Sequence, residues 1–382
     1  MDKLFIKTDF QYKILQQIEE LLPVFRIREP QLDHIGSCPT ENINDLKRIG
    51  YTTLTLPKKY GGEEISLYDF ILFQENIARG SGPTSLSIGW HLGVMFDIYT
   101  KQGWDDIEMF SWFCGEVKKG ALTNRAASEF ATGSPTRGGR PQTYAVEKDN
   151  SYIINGSKAY TSLSPMLDYF LVSAMLENEQ QEFIVPKDSI GLSIDETSWD
   201  SLSMRGTASH VIYLKDVSIP KKYCVKTSRK QLKSGSGWLL HIPACYLGIA
   251  QGAFEYAIKF AKTHQPNSLP QPISELPHIR QKLGEIELLL MQTRHFLYSV
   301  CEKFDAGLNV SAELGAVKYM VTNNSIKAVD KAMRIVGAKS LLHENPLWRS
   351  YLNVRAGLHN PPMDDVVINT LASYALIKET LI

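Results

Sequence analysis

Residues 151–162, Ser-Tyr-Ile-Ile-Asn-Gly-Ser-Lys-Ala-Tyr-Thr-Ser, set a phenol and a hydroxyl two positions apart at the end of an apolar run. Tyr152, Ile153 and Ile154 read as a strand entering an Asn155-Gly156 turn, with a second short strand behind it. Strand side chains alternate, so Tyr160 and Ser162 are expected on one face. An aromatic face beside a hydroxyl can hold a ligand, but a plain hairpin whose hydroxyls satisfy local backbone accounts for the same residues. Near the other end, His359 in Leu358-His359-Asn360-Pro361 carries an imidazole, a group that exchanges protons near neutrality. A turn histidine ahead of Pro361-Pro362 is the plainer reading. Asp364 and Asp365 are the nearest carboxylates. Most simply they give the last helix its favourable N-terminal charge.

The elements that must position these groups change character twice along 382 residues. Up to about residue 118 the spacing is helical, as in Ile14, Ile18, Leu21 and Leu22, or Phe70, Phe73 and Ile77. Turn formers at Pro57-Lys58-Lys59-Tyr60-Gly61-Gly62 interrupt it. From 119 to 226 the period falls to two, with short strands at 144–146, 169–172, 182–185 and 211–214. Regularly spaced strands without helices between them indicate an antiparallel barrel or sandwich. A basic, glycine-containing connector at 227–238 then leads to helical segments near 238–264, 276–304, 311–337 and 364–380. Their apolar stripes, Ile279, Leu283, Ile286 and Leu290 in one and Val317, Val321, Ala328, Ala332 and Ile335 in another, suit a four-helix bundle. The expected domains are therefore 1–118, helical; 119–226, a β-barrel; and 227–382, a bundle.

Composition narrows the function classes. Lys+Arg and Asp+Glu both number 41, and a chain of zero net charge lacks the basic field that nucleic acids and anionic membranes require. The N-terminus has charges every few residues and no continuous apolar stretch, so no signal peptide is expected, and no run approaches a membrane span. Five scattered cysteines without a C-x-x-C pair read as free thiols in a reducing compartment, with no metal site. The expectation is a cytoplasmic protein.

Three segments in order carry a family likeness: Ser128-Glu129-Phe130-Ala131-Thr132-Gly133-Ser134, then residues 151–162, then Met204-Arg205-Gly206-Thr207 closing with Asp216-Val217-Ser218-Ile219-Pro220. The set resembles the middle domain of the acyl-CoA dehydrogenase superfamily, where such segments form the flavin and thioester site. Upstream, the run from Leu46 through Gly50 and Tyr60-Gly61-Gly62 to Glu75 and Ala78-Arg79 is similar to the same superfamily. Downstream, Gly248-Ile249-Ala250-Gln251, Ile335-Val336-Gly337-Ala338 and Pro346 with Arg349 resemble its C-terminal bundle. The likeness covers essentially the whole chain and implies a fold with a barrel between two helical domains.

By resemblance, Ser128 contacts the pyrimidine side of the isoalloxazine, Ser162 replaces the Thr that bonds flavin N5, and Tyr160 replaces the Trp beside the ring. Both exchanges keep the donor and the aromatic face. Ser134 falls near the CoA thioester, Arg205 and Thr207 near the dinucleotide, and Gly337 in the loop that reaches a neighbouring subunit's flavin. A helix cap accounts for Gly337 equally well. The implied activity is FAD-dependent α,β-dehydrogenation of an acyl thioester, in fatty acid metabolism, with electrons passing to an electron-transfer flavoprotein. A homodimer or homotetramer is implied too.

The resemblance breaks at the base. The Glu that removes the α-proton in most of the family has no counterpart in Asn353 to Asp365, and the alternative position early in the bundle falls at Trp238 or its neighbours Leu239-Leu240-His241. The family's pyrophosphate-pairing Arg falls at His264, and a family Gln near Pro277. The segment around His359 is partly similar to the two-component flavin monooxygenases of this fold, which take reduced flavin or FMN from a flavin reductase. His359 or Asp364 is thus the candidate base, with monooxygenation and a non-catalytic flavin-binding protein as the rival readings.

Overall fold

Four of the described helices begin where a side chain accepts from the open amides of the first turn. The computed structural model describes residues 3–100, 104–132, 138–226 and 236–379. Thr8 and Gln11 close a capping box on α1 (Asp9–Arg28), and Ser66 with Asp69 does the same for α3 (Leu67–Ala78). Between them lies α2 (Thr40–Arg48); α4 (Gly82–Thr100) and α5 (Ile107–Lys118) follow. The apolar stripe of α1 points inward through Ile14, Ile18 and Leu22, with Leu21 half-buried at its margin. α3 is buried on every side, enclosed by α1, α4, α6 and α7, and so has no polar face.

The central strands are β1 (Thr123–Ala126), β2 (Tyr144–Lys148), β3 (Ser151–Thr161), β4 (Tyr169–Leu176), β5 (Glu179–Pro186), β6 (Leu192–Asp195), β7 (His210–Pro220) and β8 (Cys224–Val225). They form one eight-stranded sheet in the order β6-β7-β3-β2-β4-β5-β8, with β1 beside β4. Most neighbours are antiparallel, but β1–β4 and β2–β4 run parallel, so the sheet is mixed.

The Asn155-Gly156 turn expected from sequence is not a turn. β3 runs straight through it as one strand, and the chain reverses earlier, between Lys148 and Ser151. A bulge between Ile154 and Gly156 absorbs the irregularity. Gly156 lies at φ +145°, and a Cβ there would come within 2.5 Å of Thr143 Oγ1. Asn155 spans the bulge to β7, donating to Asp216 Oδ1 at 3.1 Å and accepting from the Asp216 amide at 2.9 Å.

The C-terminal helices are α6 (His241–Thr263), α7 (Pro277–Asp305), α8 (Ser311–Val336), α9 (Pro346–Arg355) and α10 (Asp364–Glu379). Both expected stripes face the core, with Leu283 half-buried. The short α9, capped by Asn345 and packed on α6 and α8, was not expected as a helix. Most of the 227–238 connector lies outside the described residues. Two sets of contacts, the second of them buried, lock the bundle to the N-terminal helices. Asp305 accepts from the Leu67 and Tyr68 amides, and Glu75 pairs with Arg294 at 2.8 Å and with the Tyr298 hydroxyl. One hydrophobic core runs through all three regions. No helix among the described residues is long and apolar enough to cross a membrane.

Candidate active site

Two segments meet at the end of β3. The Ser128 carbonyl accepts from the Ala159 amide at 2.8 Å. Next to it, Glu129 and Lys158 form a buried pair at 2.6 Å, their side chains 5% and 0% exposed. Glu129 also accepts from the Gln142 amide, the Thr143 amide and the Thr143 hydroxyl at 2.7–3.1 Å. Burial alone would raise its pKa. The Lys158 ammonium and these donors outweigh it and hold the carboxyl below its ordinary value of 4.5. Burial pushes the Lys158 ammonium down, against the pull of Glu129. The pair clamps residues 128–130 to the strand that carries Tyr160.

Tyr160 and Ser162 do not share a face. Tyr160 takes a left-handed backbone, φ +56°, which breaks the two-residue alternation. Its ring swings outward to 53% exposure, whereas Ser162 is 6% exposed. The ring stands edge-on between Phe130 at 5.4 Å and Trp199 at 6.0 Å between centroids. Phe130 is itself 68% exposed, so the site has an open aromatic rim. The Ser128 side chain, half-buried beside it, makes no hydrogen bond with another described residue.

Beneath the rim runs a chain of hydroxyls. Ser162 Oγ lies 2.8 Å from Ser209 Oγ, which lies 2.7 Å from Thr207 Oγ1, and Thr207 donates to the Met204 carbonyl at 2.8 Å. The loop bearing Thr207 is held on three sides. Asn353 of α9 accepts from the Met204 amide at 2.7 Å, Leu163 donates to the Thr207 carbonyl, and Trp199 Nε1 donates to the Met204 carbonyl at 3.2 Å. Arg205 is bound within the protein, donating to the carbonyls of Ser201 and Asp33 and to the Asp200 carboxylate.

The remaining sequence candidates make no hydrogen bond to this cluster among the described residues. Gly337 ends α8 at φ +70°, with open space where a side chain would point. Ser134 lies outside the described residues. His359 is exposed, its amide bonded to the Ala356 carbonyl. Asn360, beside it, accepts from the buried Tyr246 hydroxyl. Asp364 opens α10 as expected, and both its oxygens are engaged: Oδ1 by Lys318 at 3.3 Å and Oδ2 by Asn323 at 2.9 Å.

Two polar groups were missed by sequence reasoning. A cavity of about 430 Å³ lies between α3, α6 and α9, lined among others by Gly82, Ile249, Ala253, Arg349 and Asn353. Glu29 lines it with one carboxylate oxygen sealed and without a partner. Burial raises its pKa from 4.5 to about 7, against the Ser81 hydrogen bond and the Arg349 charge. Arg349 is meanwhile held by Asp33, through Nε contacts of 2.9 Å. His241 is the second, stacked on Trp238 with Nδ1 at 2.8 Å from the Trp238 carbonyl. Burial lowers its pKa to about 4, so its ring is neutral at pH 7, with Nε2 buried and unpartnered. In sequence, Arg28-Glu29-Pro30 reads as a charged helix end.

Models of the N-terminal, middle and C-terminal domains of acyl-CoA dehydrogenases match residues 19–107, 124–217 and 240–358. The chain is 48% identical over 378 residues to YdbM of Bacillus subtilis (strain 168), described provisionally as an acyl-CoA dehydrogenase, across 97% of this chain and 99% of the relative. Its fold is similar to butyryl-CoA dehydrogenase from Megasphaera elsdenii, with TM-score 0.86 and 19% identity over 97% of this chain and 99% of that one. KijD3 in complex with FMN and a dTDP-sugar matches with TM-score 0.84 and 20% identity, over 97% and 94%.

Proposed function

Because this chain belongs to the acyl-CoA dehydrogenase family, we propose that it is a flavin-dependent oxidoreductase that dehydrogenates an acyl thioester between its α and β carbons. FAD is the proposed flavin and an electron-transfer flavoprotein the proposed acceptor. The observation that carries the reading is the end of β3, where three exposed or half-exposed rings meet and where the half-buried Ser128 and the buried Ser162 each lie two residues along the chain from one of those rings. That donor set fits a flat ring with polar edge atoms, and the Ser128 hydroxyl, which makes no hydrogen bond with another described residue, would meet one. Tyr160 would flank the ring, while Ser128 and Ser162 would orient its edge. A bound flavin supplies a two-electron acceptor for the hydride of the β-carbon.

The chain's own part is to hold the thioester and take the α-proton. Asp364 is a poor base, since Lys318 and Asn323 already donate to both of its oxygens. His359 is exposed and its imidazole is uncommitted among the described residues, which favours it as the proton acceptor. A positioned base is worth roughly 10²–10⁴ in rate. The same free imidazole favours a second reading, an oxygen-using monooxygenase that binds reduced flavin or FMN from a reductase.

The test is to reconstitute the protein with FAD, remove oxygen and add acyl-CoAs of graded chain length. Bleaching of the flavin absorbance that is lost in His359→Ala is the expected result. Oxygen uptake with reduced flavin, and no bleaching, would favour the second reading. Flavin uptake with neither response would mark a non-catalytic binder. Failure to take up any flavin would overturn the reading.

A further inference from the structure

The hydroxyl chain under the rim has a direction, fixed at its inner end. The Met204 carbonyl can only accept, and Trp199 Nε1 and the Thr207 amide also donate to it. Two oxygens 2.8 Å apart still need a hydrogen between them, so the Thr207 hydrogen lies on that contact. Thr207 Oγ1 can then only accept from Ser209, across 2.7 Å. Ser209, having given its hydrogen to Thr207, can only accept from Ser162 across 2.8 Å. Each hydroxyl carries one hydrogen, so the hydrogen of Ser162 points inward and its lone pairs face outward. All three side chains are buried, between 1% and 6% exposed, so water does not readily supply a missing partner.

Resting on the flavin reading above, we propose that this chain makes Ser162 a hydrogen-bond acceptor toward the rim and selects the reduced, hydrogen-bearing state of the bound ring. Flavin N5, the atom that the family likeness sets against Ser162, is a bare acceptor when oxidised and carries a hydrogen once reduced. Against the reduced ring, four hydrogens serve four links, running from the ring through Ser162, Ser209 and Thr207 to the Met204 carbonyl. Against the oxidised ring, three hydrogens must serve the same four links, and one link faces lone pair to lone pair. The difference is one hydrogen bond, or roughly three- to tenfold in affinity between the two states. Ser209 and Thr207 act through Ser162 and are positioning residues.

The experiment titrates apoprotein with oxidised FAD and, without oxygen, with reduced FAD, and measures the midpoint potential of the bound flavin. Ser209→Ala and Thr207→Val each free the Ser162 hydrogen to turn outward. In both variants the ratio of oxidised to reduced dissociation constants should fall by about three- to tenfold. The potential should fall with it, by up to about 30 mV for a tenfold change in a two-electron couple. A merely structural role would weaken both states alike and leave the ratio unmoved. Uptake of both forms with an unchanged ratio in both variants overturns this inference alone. Uptake of neither form by the unmodified protein overturns the flavin reading and the inference together.

Discussion

Replacing Lys158 by Met removes the cation of the most deeply buried ion pair at the site while keeping the side chain's length and apolar stem. Glu129, 5% exposed, would be left with three donors, the Gln142 and Thr143 amides and the Thr143 hydroxyl. Breaking a buried pair on one side costs about 3–5 kcal/mol. The three surviving hydrogen bonds place this case near the lower end, about 3 kcal/mol at pH 7.5. The loss should shrink on acidification, because a carboxyl deprived of its cation takes up a proton more readily. The unmodified protein behaves in the opposite way. Its Glu129 pKa is depressed, so its contribution is present above 4.5 and is lost as pH falls through the lowered folded value. Denaturant unfolding at pH 7.5 and pH 5, for Lys158→Met, Glu129→Gln and the double variant, checks both points. The double variant should lie within about 1 kcal/mol of the unmodified protein, since neither charge remains to be left unpaired. A loss under about 1 kcal/mol in Lys158→Met, or a double variant as unstable as the sum of the singles, would refute the role given to the clamp.

Glu29→Gln should leave stability almost unchanged below pH 4.5 and raise it above pH 7, by at most about 3 kcal/mol. The raised pKa of Glu29, about 7, means that its contribution is full at low pH and is lost as pH rises through that value, which parallel stability–pH curves for the two proteins would contradict. Asp364→Asn leaves Lys318, 2% exposed, without its carboxylate and should lower the unfolding midpoint by the equivalent of about 1–3 kcal/mol, whereas His359→Ala should lower turnover without moving that midpoint. Equal effects of the two substitutions on both readouts would undo the division of roles between them. Gly156→Ala should destabilise by about 1–3 kcal/mol through its left-handed backbone and the crowding of Thr143, and a neutral result would mean that the bulge relaxes freely.

Much of the architecture is legible without coordinates, because it rests on periodicity and order along the chain. The stripes on α7 and α8 and the short apolar runs in β4, β5 and β7 come from neighbouring residues alone. The bounds of α7 and α8 fall within a residue of those expected, whereas β7 runs on to Pro220, six residues past the expected end. The segments around Ser128, Ser162 and Thr207 carry the family likeness in the same way. α9 escaped because ten residues make too few turns for a stripe to stand out.

The details of the site belong to tertiary structure. Asn155-Gly156 carries a strong local turn signal, yet Asp216, on a strand some sixty residues on, takes up both polar ends of the Asn155 amide and turns the signal into a bulge. Tyr160 parts from Ser162 through a single left-handed residue that no alternating pattern foretells. Glu29 owes its raised pKa to burial, which outweighs the Ser81 hydrogen bond and the Arg349 charge, and Ser162 owes its polarity to hydroxyls at 207 and 209. Periodicity is a property of a segment by itself. Burial, hydrogen-bond direction and proton affinity are properties of what the fold brings against that segment, and only the packed chain decides them.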